Sequence, residues 1–366
     1  MILKVHSSIR VSLFLIFPFV AQAELPLLWE ATPQDTAITA AITQGIEAQI
    51  RAEFEKTHKA VRDAHAKQHG CVLADFTVVD GLKEQGLDVG IFKEAGKKYE
   101  SVIRFSNGSG DARSDDRLAS PRGMAIKVMN VAGEKMIDDE STTQDFPMIN
   151  HPVFFIKNPL DYVSFMKDRK AFFEDPAHLE EAKIVGAMNN PESNPPRNVL
   201  ESTFFSMTPR QFGATDKLRP IKYSAQPVVC EGSEALVPLP LKDDENALRI
   251  ALRESLDKQA FCYAFRIQKQ TNEEDMPVSN PTKIWNENES PWITVANVKI
   301  FAKQDFDARE EICENLALNP WHSLAEHQPL GGIEFVRRTV YQATSKLRHE
   351  LNEAAVIEPK GFADLN

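Results

Sequence analysis

Between Cys71 and Lys157 the chain breaks into short Val-, Ile- and Phe-rich segments, and no other feature limits its fold as strongly. "CVLADFTV" (71–78), "VGIFKEAGKKYESVIRFSNG" (89–108), "RGMAIKVMNV" (122–131) and "HPVFFIK" (151–157) are punctuated by Gly, Asp and Asn. β-Branched and aromatic runs bounded by turn residues read as strands of an antiparallel sheet or barrel. Upstream, Thr32-Pro33 is a helix entry, and Ile38, Ile42, Ile46 and Ile50 recur at helical spacing, which predicts a helix over about 34–60. Downstream, 158–173 and 176–189 read as helices, 247–270 as a helix running into a strand, 292–304 as a strand, and the tail as a helix from about 332. The fold class is α+β, an antiparallel β-barrel core with surrounding helices.

The first 23 residues carry Lys4 and Arg10, a ten-residue apolar run and "AQA", the pattern of a cleaved secretory signal. Ten apolar residues are too few to span a bilayer, which takes about 20. The expected mature chain is therefore a single domain over 24–366, secreted to the periplasm in a bacterium and free of the membrane. A net charge of −11 argues against nucleic acid as a partner. Cys71, Cys230, Cys262 and Cys313 form no CxxC pair, so a zinc knuckle is not expected, and both disulfides and free thiols are open to them.

Several residue sets could carry chemistry. His65 and His69 are spaced i, i+4, a weak metal signature without a third ligand in register. Arg104 and Ser106 stand two apart in a strand and so share one face; pointed at a barrel interior, the arginine would need an anion. In "RRTVYQATSKLRHE" (337–350), Arg337, Tyr341, Thr344 and Arg348 fall on one helical face. Taken alone, this is a basic face with an incidental tyrosine. GxSxG, HExxH, Walker A and GxGxxG motifs are absent from the sequence.

Together the segments around His65, Arg104, Asn150 and Tyr341 resemble, in order, the four haem-site segments of the haem catalases. "NPWHSLAEHQPLGGIEFVRR" (319–338) is similar to the short, single-domain catalase-related peroxidases. The resemblance runs from about residue 35 to 350 and implies a haem b cofactor. It implies that His65 and Asn150 form the distal catalytic pair and that Ser106 fixes the histidine tautomer. Phe155 would lie against the haem, while Arg62, Arg104 and Arg348 would hold its propionates. Tyr341 would ligate the iron as a tyrosinate, with Arg337 beside its oxygen. A free phenol has a pKa of about 10, so such a ligand needs help, and ferric iron and a guanidinium both favour the anion. The implied activity is peroxidase/catalase: hydrogen peroxide is split through a ferryl intermediate, with a small organic molecule as an alternative reductant, in defence against oxidative stress. A monomer or small homo-oligomer is expected.

The sequence departs from the full-length pattern at Ala64 (usually Val), His151 (usually Thr), Gln342 (usually Pro) and "SKLR", which replaces a histidine-bearing stretch. Neither the long N-terminal arm nor the C-terminal flavodoxin-like domain of the full-length pattern is expected. These departures favour a more open channel and peroxidase over dedicated catalase. Two further readings are a fatty-acid hydroperoxide-converting enzyme of the allene oxide synthase type, which Ala64 does not support, and a non-enzymatic haem-binding protein.

Overall fold

The computed structural model describes residues 28, 31–137, 142–232 and 238–365, so the apolar segment read as a signal (1–23) lies outside the described residues. Thr32 opens α1 (Pro33–Thr57) with a capping box: its hydroxyl accepts from Asp35 N at 3.2 Å, and the Asp35 carboxylate accepts from Thr32 N at 2.9 Å.

Among the described residues nine strands follow: β1 (Gln68–Val78), β2 (Lys98–Asn107), β3 (Arg122–Val128), β4 (Gln144–Ile149), β5 (Phe204–Phe205), β6 (Arg210–Gln211), β7 (Pro220–Val228), β8 (Phe261–Lys269) and β9 (Ile293–Ile300). They pair antiparallel in the order β5-β4-β3-β2-β1-β9-β8-β7-β6, and a further β5–β7 pairing closes eight of them into a barrel, with β6 appended to β7. Closure leaves the long strands without an open edge, and the alternation along each strand fills the interior. Phe76, Phe146, Phe265 and Tyr223 meet there, with Phe146 and Phe265 centroids 4.8 Å apart and Phe76 and Phe265 5.2 Å apart. The barrel is a packed core with no room for a cofactor.

That packing corrects one expectation. Ile103 and Phe105 point into the barrel, so Arg104 and Ser106, one residue out of phase, face outward from its wall. On the outer side lie α2 (Pro159–Lys167), α3 (Arg169–Glu174), α4 (Leu179–Asn189) and α7 (Gly332–Leu351), joined through α1, which packs on α2 and α7, while α5 (Ala247–Lys258) packs on β1. Ile42, Ile46 and Ile50 of α1 meet Val336, Val340 and Leu347 of α7, so the isoleucine repeat that predicts the helix also docks it. No helix among the described residues is long and apolar enough to cross a membrane.

Two element assignments change. Residues 151–157 are irregular, and the strand falls just upstream as β4: Asn150 N makes a last bond to Arg122 O (3.0 Å), and Pro152 has no N–H to extend the ladder. β7 also goes unpredicted: Ile221, Tyr223 and Ala225 alternate with Lys222, Ser224 and Gln226 as a strand should, but Pro220 and Pro227 at its ends mask it.

All four cysteines pair, Cys71 with Cys313 and Cys230 with Cys262. The first bond ties β1 to α6 (Glu310–Asn315) across 242 residues of chain. In the chain-entropy account, cross-links closing loops of a hundred residues or more contribute roughly 4 to 5 kcal/mol. Alkylation of the unreduced, denatured protein should therefore label no cysteine. Reduction, or Cys313→Ser, should lower the melting temperature by about 10 °C; an unchanged Tm would mean that the bond constrains nothing.

Candidate active site

A cavity of about 300 Å³ lies between the outer wall of β2–β4 and helices α1, α2, α4 and α7. Its walls are mostly apolar, including Ile42, Ile46, Ile149, Phe154, Phe155, Val336 and Val340. Three polar groups interrupt them.

The first is on the barrel side. His65 sits in the loop between α1 and β1, rather than on the helical face that i, i+4 spacing with His69 would need. Its backbone is left-handed, φ 59°, a strained conformation for a non-glycine residue. A strap from β2 holds it there: His65 N donates to Gly108 O (3.3 Å), Ala66 N to Ser109 O (3.0 Å), and Arg104 Nη1 to His65 O (2.8 Å). Gly110 lets the strap cross, since a Cβ there would lie 2.2 Å from Asp63 O. The ring is seated by Ser106, whose Oγ is 3.0 Å from His65 Nδ1. Gly123, opposite Ser106 on β3, makes the seat feasible, because a Cβ would come within 2.5 Å of both atoms. Burial, then the positive charge of Arg104, lowers the His65 pKa to about 4, so the imidazole is neutral at neutral pH. With Nδ1–H donating to Ser106, Nε2 keeps a lone pair available to a ligand proton.

The second group is on the helix side. Arg337 Nη2 donates to Tyr341 Oη at 2.8 Å, one turn along α7, and its guanidinium lies 5.0 Å from the Tyr341 ring centroid. Arg337 Nη1 is held by Glu334, a fully buried carboxylate that also takes Thr208 Oγ1 and Arg210 Nη2. Burial opposes the charge of Glu334, but Arg210 and Arg337 outweigh it and keep its pKa low.

The third group is a cluster of guanidiniums. Arg62 Nη1 and Arg104 Nη2 donate to the two oxygens of Glu314, at 2.7 and 3.2 Å, and Arg348 Nη1 donates to the Glu314 carbonyl at 2.6 Å. Burial works against the Glu314 carboxylate, but Arg62 and Arg104 hold its pKa down to about 2. Three guanidiniums against one carboxylate still leave two positive charges. Burial and mutual repulsion lower the pKa of Arg104 to about 10 and of Arg348 to about 9. A planar apolar group with two carboxylates at one edge and a position open to a phenol oxygen fits this donor set. Haem is such a group.

His65, Arg62, Arg104, Ser106, Phe155, Arg337, Tyr341 and Arg348 thus all line one cavity. Asn150 does not. Its Oδ1 accepts from Arg122 N (2.7 Å) and its Nδ2 donates to Asn194 Oδ1 (3.0 Å). Glu314, Glu334 and Gly123 went unnoticed in the sequence. Glu334 stood three residues before Arg337, a helical ion-pair spacing that could have found it.

Residues 39–193 match the Catalase family model. The chain is 31% identical over 119 residues to Catalase A of Pseudomonas putida and 30% identical over 119 residues to the catalase of Cavia porcellus. Each alignment takes in 32% of this chain but only 22% and 20% of those proteins, so the chain matches about a fifth of their length. In three dimensions it superposes on Catalase A from Saccharomyces cerevisiae with a TM-score of 0.61, over 94% of this chain and 72% of that one, at 18% identity. A bacterial catalase structure gives a TM-score of 0.62 over 93% of this chain and 67% of that one, at 16% identity. The closed barrel with its helices is the catalase fold, and residues 39–193 match the Catalase family model.

Proposed function

We propose that the mature chain, residues 24–366 as one domain, is a haem-dependent peroxidase/catalase of the short, catalase-related branch that decomposes hydrogen peroxide. The carrying observation is the pairing, on one cavity, of a neutral histidine seated by a serine with a tyrosine bonded to a buried arginine. A protein that only carried haem would need the second pair and not the first.

Tyr341 would hold the haem iron, and Arg62, Arg104 and Arg348 its propionates. Bound haem supplies the iron that accepts the peroxide and stores its oxidising equivalents. His65 Nε2 takes the proton from the inner peroxide oxygen and returns it to the outer one, which leaves as water. Ser106 keeps the imidazole in the tautomer that this transfer needs. Arg337 stabilises negative charge on the Tyr341 oxygen, and Glu334 holds Arg337 in place. Phe154 and Phe155, on the cavity wall, would keep water from the bound group. Asn150 would be the second polar group toward peroxide, on exchanging its Asn194 partner. A small organic reductant competes with a second peroxide for the oxidised enzyme. The two disulfides suit an oxidising compartment and so support secretion to the periplasm.

His65→Ala should cut peroxide-dependent turnover by about 10²- to 10⁴-fold while haem stays bound; residual turnover within tenfold of the parent would remove His65 from the mechanism. Tyr341→Phe should change the ferric absorption spectrum or release haem, and an unchanged spectrum would mean that another residue ligates the iron. Because the proton acceptor is the neutral imidazole, kcat/KM for peroxide should be flat from pH 8 to 5 and fall as the pH drops through about 4. A fall centred near 6.5 would place the ring in contact with bulk water.

A further inference from the structure

Three potential metal ligands outside the peroxide cavity converge between α2 and α4. Asp161 of α2, His178 at the end of the 3-10 turn Pro176–His178, and Glu181 of α4 each place one donor atom within 4.8 Å of the others. None of the three lines the cavity.

Burial without partners separates this cluster from a solvated acidic patch. The Glu181 side chain is 4% exposed and makes no hydrogen bond among the described residues; His178 Nδ1, its nearest polar neighbour, is 3.8 Å away, too far for one. His178 Nδ1 is itself buried and has no hydrogen-bond partner. A buried imidazole nitrogen left unbonded beside a carboxylate that is almost wholly removed from water is unfavourable unless something sits between them. The positioning contacts are also present. The His178 ring stacks on Phe172 with centroids 3.8 Å apart, which fixes its orientation. Asn158 Nδ2 donates to Asp161 Oδ2 at 2.7 Å, leaving Oδ1 uncommitted. Ligating carboxylates are oriented by outer-shell bonds of this kind.

We propose that Asp161, His178 and Glu181 bind one divalent cation of the Zn²⁺ type, with water completing its coordination. Two carboxylates neutralise the dication, and the imidazole donor favours Zn²⁺ over Ca²⁺ or Mg²⁺, which prefer oxygen alone. The ion ties α2 to α4. Tyr162, next to Asp161, and Met188, at the far end of α4, both line the peroxide cavity. Metal at this site therefore braces one wall of the cavity and takes no part in the redox chemistry.

The test uses the full mature chain as purified, stripped with EDTA and titrated with Zn²⁺ by calorimetry, with bound zinc counted after gel filtration and Tm followed in parallel. The parent protein should bind one equivalent and melt higher with Zn²⁺. Glu181→Gln should weaken binding at least tenfold and abolish the Tm shift, and Ca²⁺ should not compete. Asp161→Asn, a milder change at a less buried position, should do the same and serves if Glu181→Gln fails to fold. Failure of the parent to bind zinc, or equal binding by parent and Asp161→Asn, would show only a His178–Glu181 ion pair and overturn the proposal. Equal affinity for Ca²⁺ would remove the imidazole from the site and overturn it as well.

Discussion

Much of this molecule turns on three guanidiniums gathered around one carboxylate. Arg62 comes from the loop after α1, Arg104 from β2, Arg348 from the last turns of α7, and Glu314 from α6. The cluster therefore joins segments almost the length of the chain apart, and it does so where water is scarce. Removing one partner from such a buried network is severely destabilising, because the others are left uncompensated. Yet one carboxylate does not neutralise three guanidiniums, and the excess charge faces the cavity. The same cluster closes the fold and leaves an electrostatic demand for a doubly negative ligand.

Strain and its support are arranged alongside. A histidine at φ 59° is disfavoured by about 1 to 3 kcal/mol, and persists only where its surroundings dictate it. Here the strap at 108–110, the Arg104 side chain and the missing Cβ of Gly123 dictate it. Arg104 thus bonds His65 O through one nitrogen and Glu314 through the other, so the proton-accepting ring and the charged end of the cavity share a support. On α7, Glu334 plays the corresponding part for Arg337 and Tyr341.

Much of this could be read from the residues. Local patterns carried the elements: the Thr32 cap, the Ile repeat of α1 and the strands β1 to β3 lie where composition and period put them. The same-face argument for Arg104 with Ser106, and for Arg337 with Tyr341 and Arg348, also holds in the fold. The direction of those faces was not legible, since alternation says that two residues agree and not which side of a barrel wall they take. Asn150 shows the limit of matching a motif: its place in sequence fits, but Arg122 and Asn194 claim its amide. Glu314 supplies an anion to guanidiniums whose sequence pattern points only to a ligand. It lies more than 200 residues from Arg62 and Arg104, with no local pattern to connect them.

The 242-residue span between Cys71 and Cys313 also bears on when the site can exist. At about 5 to 20 residues per second, on the order of ten to fifty seconds of synthesis separate the emergence of β1 from that of its partner cysteine. Glu314 follows that cysteine directly, and α7, with Tyr341 and Arg348, comes later still. Until then Arg62 and Arg104 have neither their carboxylate nor the helix that closes the cavity. A nascent or truncated chain can present a folded barrel wall with a cationic, half-built cleft. The cavity is therefore complete only in the finished polypeptide, made late by the order in which its walls are synthesised.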